Sequence, residues 1–172
     1  IPIISAGQSP KGVDFVARKA DQNFVMASPR RLKDISSAVK AKGASLGREV
    51  GTYALFTLIA ESTDEKAVSV VRNIVDKADL GAIENILGSA SLDANKGGTS
   101  DHLQHALDRD VEEGNIALMG HPAICGSFET VSDKINQIIS HTGIDGMLFC
   151  WPEYRRGIQD FGEKIKPRLV SS

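Results

Sequence analysis

IPIISAGQSPKGVDFVARKA, residues 1–20, reads as a strand, a loop and a helix in immediate succession. Residues 1–5 form an apolar, strand-like run, and Ala6, Gly7 and Gln8 break it with small and flexible residues. Ser9 is a good helix N-cap, and Pro10 has its φ preset for the first helical position. Behind it Val13, Val16, Ala17 and Ala20 recur at helical spacing. One such unit says little, but the pattern repeats. A strand at 23–27 is followed by a helix over 30–42 that buries Leu32, Ile35 and Val39 and is expected to end near Gly43. Residues 53–59, YALFTLI, are almost continuously apolar, as in a strand covered on both faces. Ser62-Thr-Asp-Glu65 then reads as a capping box, opening a helix that presents Ala67, Val70, Val71, Ile74 and Ala78 to the sheet. A helix over 128–141, with Val131, Ile135, Ile138 and Ile139 on one stripe, leads into a strand at 146–151. A last helix carries Ile158, Phe161 and Ile165. Successive βα units predict an α/β protein with a parallel sheet.

Four such units fit two architectures, an open doubly wound sheet or half of a (β/α)8 barrel. The chain starts with Ile rather than Met, which favours the barrel half, as one piece of a longer protein. Two strand edges are then unpaired and call for a complementing N-terminal half or a second copy of the chain. The rhythm is interrupted over about 80–125 by a variable segment whose centre, GSASLDANKGGTS, is rich in Gly, Ser and Asn. A lid or mobile substrate-side loop and a plain surface insertion both stay open for it.

The composition narrows the function classes. The chain has 172 residues, 41% hydrophobic and 24% charged, which suits one soluble globular domain. Lys and Arg number 20 against 22 Asp and Glu, spread along the chain, so neither a nucleic-acid stripe nor an anionic-membrane patch is expected. No apolar run approaches the ~18 residues of a membrane span, and the first residues lack a signal-peptide layout, so a cytoplasmic location is expected. Cys125 and Cys150 lack metal-ligand spacing and read as buried thiols. GxSxG, GxxxxGK[ST] and HExxH motifs are absent. His102 and His105, three apart beside Asp101 and Asp108, read as a solvated pair, so no metal is expected. His121 and Cys125, near the entry to the last unit, are open to either a substrate-side or an ordinary loop role. For Trp151, Glu153 and Tyr154, packing against the final helix is favoured over lining a pocket.

The loop after the first strand suits an anion. Amides of residues 7–12, the Ser9 hydroxyl and the positive end of the helix dipole would converge on a phosphate, with Lys11 adding charge at the rim. On these residues alone, a helix cap without a ligand remains open as well.

Two longer stretches bear on that choice. ISAGQSPKGVDFVARKADQNFV and GSFETVSDKINQIISHTGIDGMLFCWPEYRRGIQDFGEKIKPRL together resemble the C-terminal half of the bacterial-luciferase-like, flavin-dependent monooxygenases. TYALFTLIAES and the final WPEY followed by GIxxFG resemble the branch with pyrimidine, hexachlorobenzene and dibenzothiophene-sulfone monooxygenases. The resemblance implies that the four strands are the fifth to eighth of a (β/α)8 TIM barrel. It implies that Gly7, Gln8 and Ser9 bind the FMN phosphate, with Ser9 foremost; many relatives carry a small or hydroxyl residue where this chain has Gln8. It also implies that the 80–125 segment helps cover the active site. The expected reaction inserts one oxygen atom from O2 into a small organic substrate, using FMN reduced by a separate flavin reductase. The residues that rest the flavin ring lie mainly on the first four strands in this family, so catalytic residues are unassigned here and the chain alone is expected to be inactive. Two alternatives are kept, a non-catalytic half-barrel that oligomerises through its sheet edges, and part of a deazaflavin-dependent oxidoreductase of the same barrel family.

Overall fold

The computed structural model describes residues 1–92, 117–118 and 121–170. Strand β1 (Ile4–Ala6) leads into helix α1 (Pro10–Lys19), β2 (Gln22–Val25) into α2 (Pro29–Ser45), and β3 (Gly51–Glu61) into α3 (Asp64–Asp76). Helix α4 (Leu80–Ser91) follows, then β4 (Ala117–Leu118) and β5 (His121–Ser127). Helix α5 (Phe128–Thr142), β6 (Gly146–Cys150) and α6 (Tyr154–Asp160) complete the order; α6 runs on through a wider π turn, Phe161–Ile165, and a 3-10 turn, Lys166–Arg168.

The sheet is parallel throughout except for β4, which pairs antiparallel with β5. Strand β3 is its spine. Tyr53 and Ala54 pair with β2 through Phe24 and Val25 and also with β6 through Gly146 and Met147, so β2 and β6 flank β3 on opposite edges. The far half of β3, residues 57–61, pairs with residues 123–127 of β5.

Alternation along these strands separates two faces. Asn23, Val25, Thr52, Ala54, Phe56 and Leu58 are buried, and most of them join Val16, Leu32, Ile35, Val39, Val131, Ile135 and Ile165 in one core beneath the helices. The opposite face carries Phe24, Tyr53 and Leu55 half-buried, and Ile4 and Leu148 more than half and two-fifths exposed respectively. In register it reads as layers: Ala6, Phe24, Tyr53 and Gly146; then Leu55 with Leu148; then Thr57 with Cys150. Gly146 is required in its layer, because a Cβ there would stand 2.6 Å from the Tyr53 ring. The expectation that residues 53–59 are covered on both faces is therefore corrected. The lower half of β3 is fully covered on the helix side only, and the other face is buried from Thr57 to Ile59, where β5 pairs with the strand and α3 packs on Ile59.

Three local expectations also change. Helix α2 does not end near Gly43 but runs through it to Ser45, and the chain then folds back so closely that Arg48 O lies 3.0 Å from where a Gly43 Cβ would be. The stop is Gly47, at φ +68°, whose N–H reaches Ala44 O at 3.0 Å while Arg48 N–H reaches Gly43 O at 3.0 Å, a Schellman closure that needs the left-handed region. The cap of α3 is Thr63, not Ser62: its hydroxyl accepts from Lys66 N–H, and Ser62 Oγ takes the Lys66 ammonium instead. Finally, both ends of the 80–125 segment are regular, as α4 and as β5. Periodicity missed β5 because Pro122 and Gly126 punctuate a run whose pairing is supplied by β3.

A joint between helices sets their height on the sheet. The carbonyl of Gly143, at φ +64° after α5, accepts from Ser36 Oγ at 3.0 Å and Lys40 Nζ at 2.6 Å, both on α2. Asp145 then pairs with Lys40 at 2.9 Å and accepts from Thr52 N–H at 2.8 Å. No helix among the described residues is long and apolar enough to cross a membrane.

Candidate functional site

In a parallel sheet with helices following each strand, every helix begins at the carboxyl ends of the strands, and ligands gather there. The loop from β1 to α1 is the best defined of these. Gly7 is buried, and its backbone is gripped by the side chain of Asn23 on β2: Gly7 N–H donates to Asn23 Oδ1 at 3.0 Å, and Asn23 Nδ2 donates to Gly7 O at 3.0 Å. Gly7 also lies against the first turn of α1, where a Cβ on Gly7 would stand 2.6 Å from Gly12 O and 2.8 Å from Val16 Cγ2, and one on Gly12 would stand 2.8 Å from Gly7 Cα. Two glycines face to face thus let the loop close onto its own helix.

Ser9 caps α1, its Oγ accepting from Gly12 N–H at 3.2 Å. The hydroxyl hydrogen remains free to donate outward, since a hydroxyl accepts and donates at once. Pro10 has no N–H, and Val13 N–H is taken by Ser9 O at 2.8 Å. The amides of Gln8, Ser9 and Lys11 have no acceptor among the described residues. At the other end of α1, Arg48 donates to Ala17 O at 2.8 Å and Ala20 O at 2.9 Å. The carbonyl end is thus neutralised while the amide end is open, an arrangement suited to an anion.

The residues expected at this site therefore do different work. Gly7 supplies room and closure, its amide being engaged by Asn23. The Gln8 side chain lines an open groove of about 650 Å³ between α1 and α2, beside Pro10, Val13, Ile35 and Ala38, and its Oε1 is buried without a donor among the described residues. Ser9 and the amides around it are the available donors.

The other strand ends form a connected rim. Asp64, at the start of α3, accepts from Ser127 N–H at 2.6 Å and from Thr130 Oγ–H at 3.2 Å, tying two helix starts together. Those hydrogen bonds, the Ser127 amide first, hold its carboxyl below the ordinary 3.8. A carboxyl lowered on folding contributes stability that is complete above its unfolded value and disappears as pH falls through its folded one. We therefore expect the urea midpoint to fall more steeply between about pH 5 and 2 in the wild type than in Asp64→Asn; parallel slopes would refute the bridge. Further along, Arg156 joins Glu61, the last residue of β3, and lies 3.4 Å from Asp160, which holds Lys164 at 2.6 Å. The Lys164 ammonium sits 4.6 Å above the Phe128 ring.

Trp151 packs on the final helical segment, 5.8 Å from the Tyr154 ring and 6.3 Å from Phe161, with Gly157 leaving it room. Its Nε1 is buried with no acceptor among the described residues. Glu153 caps α6 without a side-chain hydrogen bond, and Tyr154 is largely exposed. Cys125 is buried between β5 and α3, where burial pushes its thiol pKa up and makes it inert; Cys150 faces Thr57 Oγ1 at 3.3 Å. His121 lies on β5, at its pairing with Leu118. Asp101, His102, His105 and Asp108 lie outside the described residues; among those described, no cluster of three His, Cys, Asp or Glu is placed to hold a metal.

Asn23, Asp64 and the Glu61–Arg156 pair were missed from the sequence. Only Asn23 left a trace, as a polar residue two positions before Val25, in phase with the core.

A family model described as luciferase-like monooxygenase matches residues 1–146. Pyrimidine monooxygenase RutA of Acinetobacter baylyi is 34% identical over 173 residues, covering 98% of this chain and 46% of that protein. The chain spans about half the length of the curated relatives it matches. A crystal structure of riboflavin lyase with modified FMN and riboflavin superposes with a TM-score of 0.75 at 21% identity, covering 95% of this chain and 41% of that one. DmoA from Hyphomicrobium sulfonivorans gives 0.73 at 20%, covering 95% and 40%. At these identities the structural likeness establishes the fold.

Proposed function

The chain belongs to the luciferase-like monooxygenase family, and from that premise we propose that it is the C-terminal portion of an FMN-dependent monooxygenase. Its fold is the corresponding part of a (β/α)8 barrel, with β1, β2, β3 and β6 as strands five to eight and the half-covered sheet face as the barrel interior. The reaction proposed is insertion of one oxygen atom from O2 into a small organic substrate, a pyrimidine being the first candidate because of the relatives named above. The enzyme is placed in the cytoplasm and works with a separate flavin reductase.

The observation that carries the reading is the open start of α1. Among the described residues, the amides of Gln8, Ser9 and Lys11 and the Ser9 hydroxyl have no acceptor, and they stand on a buried glycine support that holds no side chain in the way. Such a cradle fits a phosphate monoester, which brings several acceptor oxygens and negative charge. Gln8, Ser9 and Lys11 would hold the FMN phosphate, the Lys11 side chain adding charge at the exposed rim. Gly7 shapes the loop beneath them. Bound reduced flavin supplies the activation of O2, while the protein binds, orients and shields. Glu61, at the end of β3, and its partner Arg156, on α6, stand at the same carboxyl rim and would border the substrate side.

The test uses the product of the complete gene with FMN, a flavin reductase, 18O2 and a panel of pyrimidines. Expected is a product carrying one labelled oxygen, formed only when reduced FMN is present. Ser9→Ala should weaken FMN binding roughly tenfold while leaving riboflavin binding unchanged, since only FMN carries the phosphate. The 172-residue chain alone should show little turnover. Absence of flavin-dependent oxygen incorporation on every substrate would defeat the monooxygenase reading, and a deazaflavin extracted from the purified protein would move it to hydride transfer.

A further inference from the structure

Asn23 is fully buried on the helix-facing side of β2, in phase with Val25 and in register with Ser5 and Thr52. An apolar residue would be the cheaper occupant of such a position, because an amide taken out of water must have its donors and acceptor matched. Among the described residues the match is found in one peptide unit. Pairing between β1 and β2 ends at Ala6 with Phe24, so Gly7 leaves the sheet with its N–H and C=O needing partners inside the protein. Asn23 supplies both, through Oδ1 and Nδ2 at 3.0 Å each. Its side-chain amide thus stands in for one further residue of sheet and fixes the Gly7 peptide in two directions. The next residue, Gln8, begins the run of amides that have no acceptor among the described residues.

We infer that Asn23 is the positioning residue of the anion loop: its two hydrogen bonds to Gly7 orient the Gln8 and Ser9 amides and the Ser9 hydroxyl toward the phosphate, and withhold the Gly7 amide from it. The inference rests on the reading of this loop as the FMN phosphate site. Asn23 itself touches no ligand. Preorganised donors need no rearrangement when the anion arrives, and this is where such a residue contributes affinity.

The experiment compares FMN with riboflavin in the product of the complete gene, because the two ligands differ only by the phosphate. In Asn23→Leu, which removes both hydrogen bonds, FMN affinity should fall roughly tenfold or more while riboflavin affinity stays within about twofold. Asn23→Asp retains the acceptor for Gly7 N–H and places a carboxylate oxygen against Gly7 O, and it should show the same selective loss. A merely structural role predicts equal losses for both ligands, and that result overturns the inference. The wild type gives an independent reading by amide hydrogen exchange. Gly7 should exchange slowly with or without ligand, whereas Gln8, Ser9 and Lys11 should become protected with FMN and not with riboflavin. A Gly7 amide that is unprotected until FMN binds would overturn the inference even if neither variant folds. A wild type that binds FMN and riboflavin equally removes the phosphate site, and the inference with it; a phosphate preference that survives in both variants removes the inference alone.

Discussion

Gly7→Ala is expected to cost about 1–3 kcal/mol of stability and to abolish most of the phosphate contribution to flavin binding. The added methyl would lie 2.6 Å from Gly12 O, 2.7 Å from Gly12 C and 2.8 Å from Val16 Cγ2. Two of those atoms are backbone of the first turn of α1, and the third belongs to a fully buried valine, so none can swing aside. Relief requires α1 to move away from β1 as a body, which pulls the Ser9 cap and the open amides off their positions and strains the Asn23 bonds. The two effects should therefore appear together: a lower urea midpoint and an FMN-to-riboflavin preference collapsed toward unity. Gly162→Ala is the control, since a Cβ there meets nothing within 4 Å and the residue sits in a helical turn where alanine is tolerated. A Gly7→Ala protein as stable and as selective as the wild type would show that the loop is not closed on its helix.

Phe56→Ala should be the most destabilising single truncation in the sheet, at about 3–5 kcal/mol. Phe56 is 1% exposed in the middle of β3, on the strand that carries β2, β5 and β6, and it belongs to the main core beneath the helices. Among the described residues nothing larger is as completely enclosed, and the cavity left cannot fill without shifting the sheet spine. Its neighbour Leu55 makes the comparison informative. Leu55 points to the other face, beside the two-fifths exposed Leu148. In the 172-residue chain, Leu55→Ala should cost clearly less, because part of its surface is already in water. Denaturant titration of both variants measures the difference, and equal costs would mean that the two faces are equally covered, contrary to the barrel-interior assignment.

Much of the architecture was legible because it is local. Helices α1, α3 and α5 and strands β3 and β6 follow from apolar spacing, and α1 also from its cap at Ser9, features that act within a few residues of themselves. Where two signals of similar strength lay close together, only the tertiary surroundings chose between them. Gly43 reads as the stop of α2, and the return of the chain over Gly43 toward Val50 left Gly47 as the terminator. Strand β5 was illegible, since its apolar content is interrupted by proline and glycine and its strand character comes from pairing with β3.

The candidate site divides in the same way. Ser9, Pro10 and the small residues before them announce an open helix start by their own conformational preferences, so the sequence alone could name the loop, with a phosphate site and a cap without a ligand both open on those residues. Which amides are left for that ligand depends on Asn23, sixteen residues away, and which neighbours stiffen the rim depends on Asp64 with Ser127 and Glu61 with Arg156, sixty or more residues apart. Conformational preference is a property of neighbouring residues and is written along the chain. The satisfaction of a buried polar group is a property of whatever the fold brings beside it, and for this protein that was decided only when β1, β2 and β3 lay side by side.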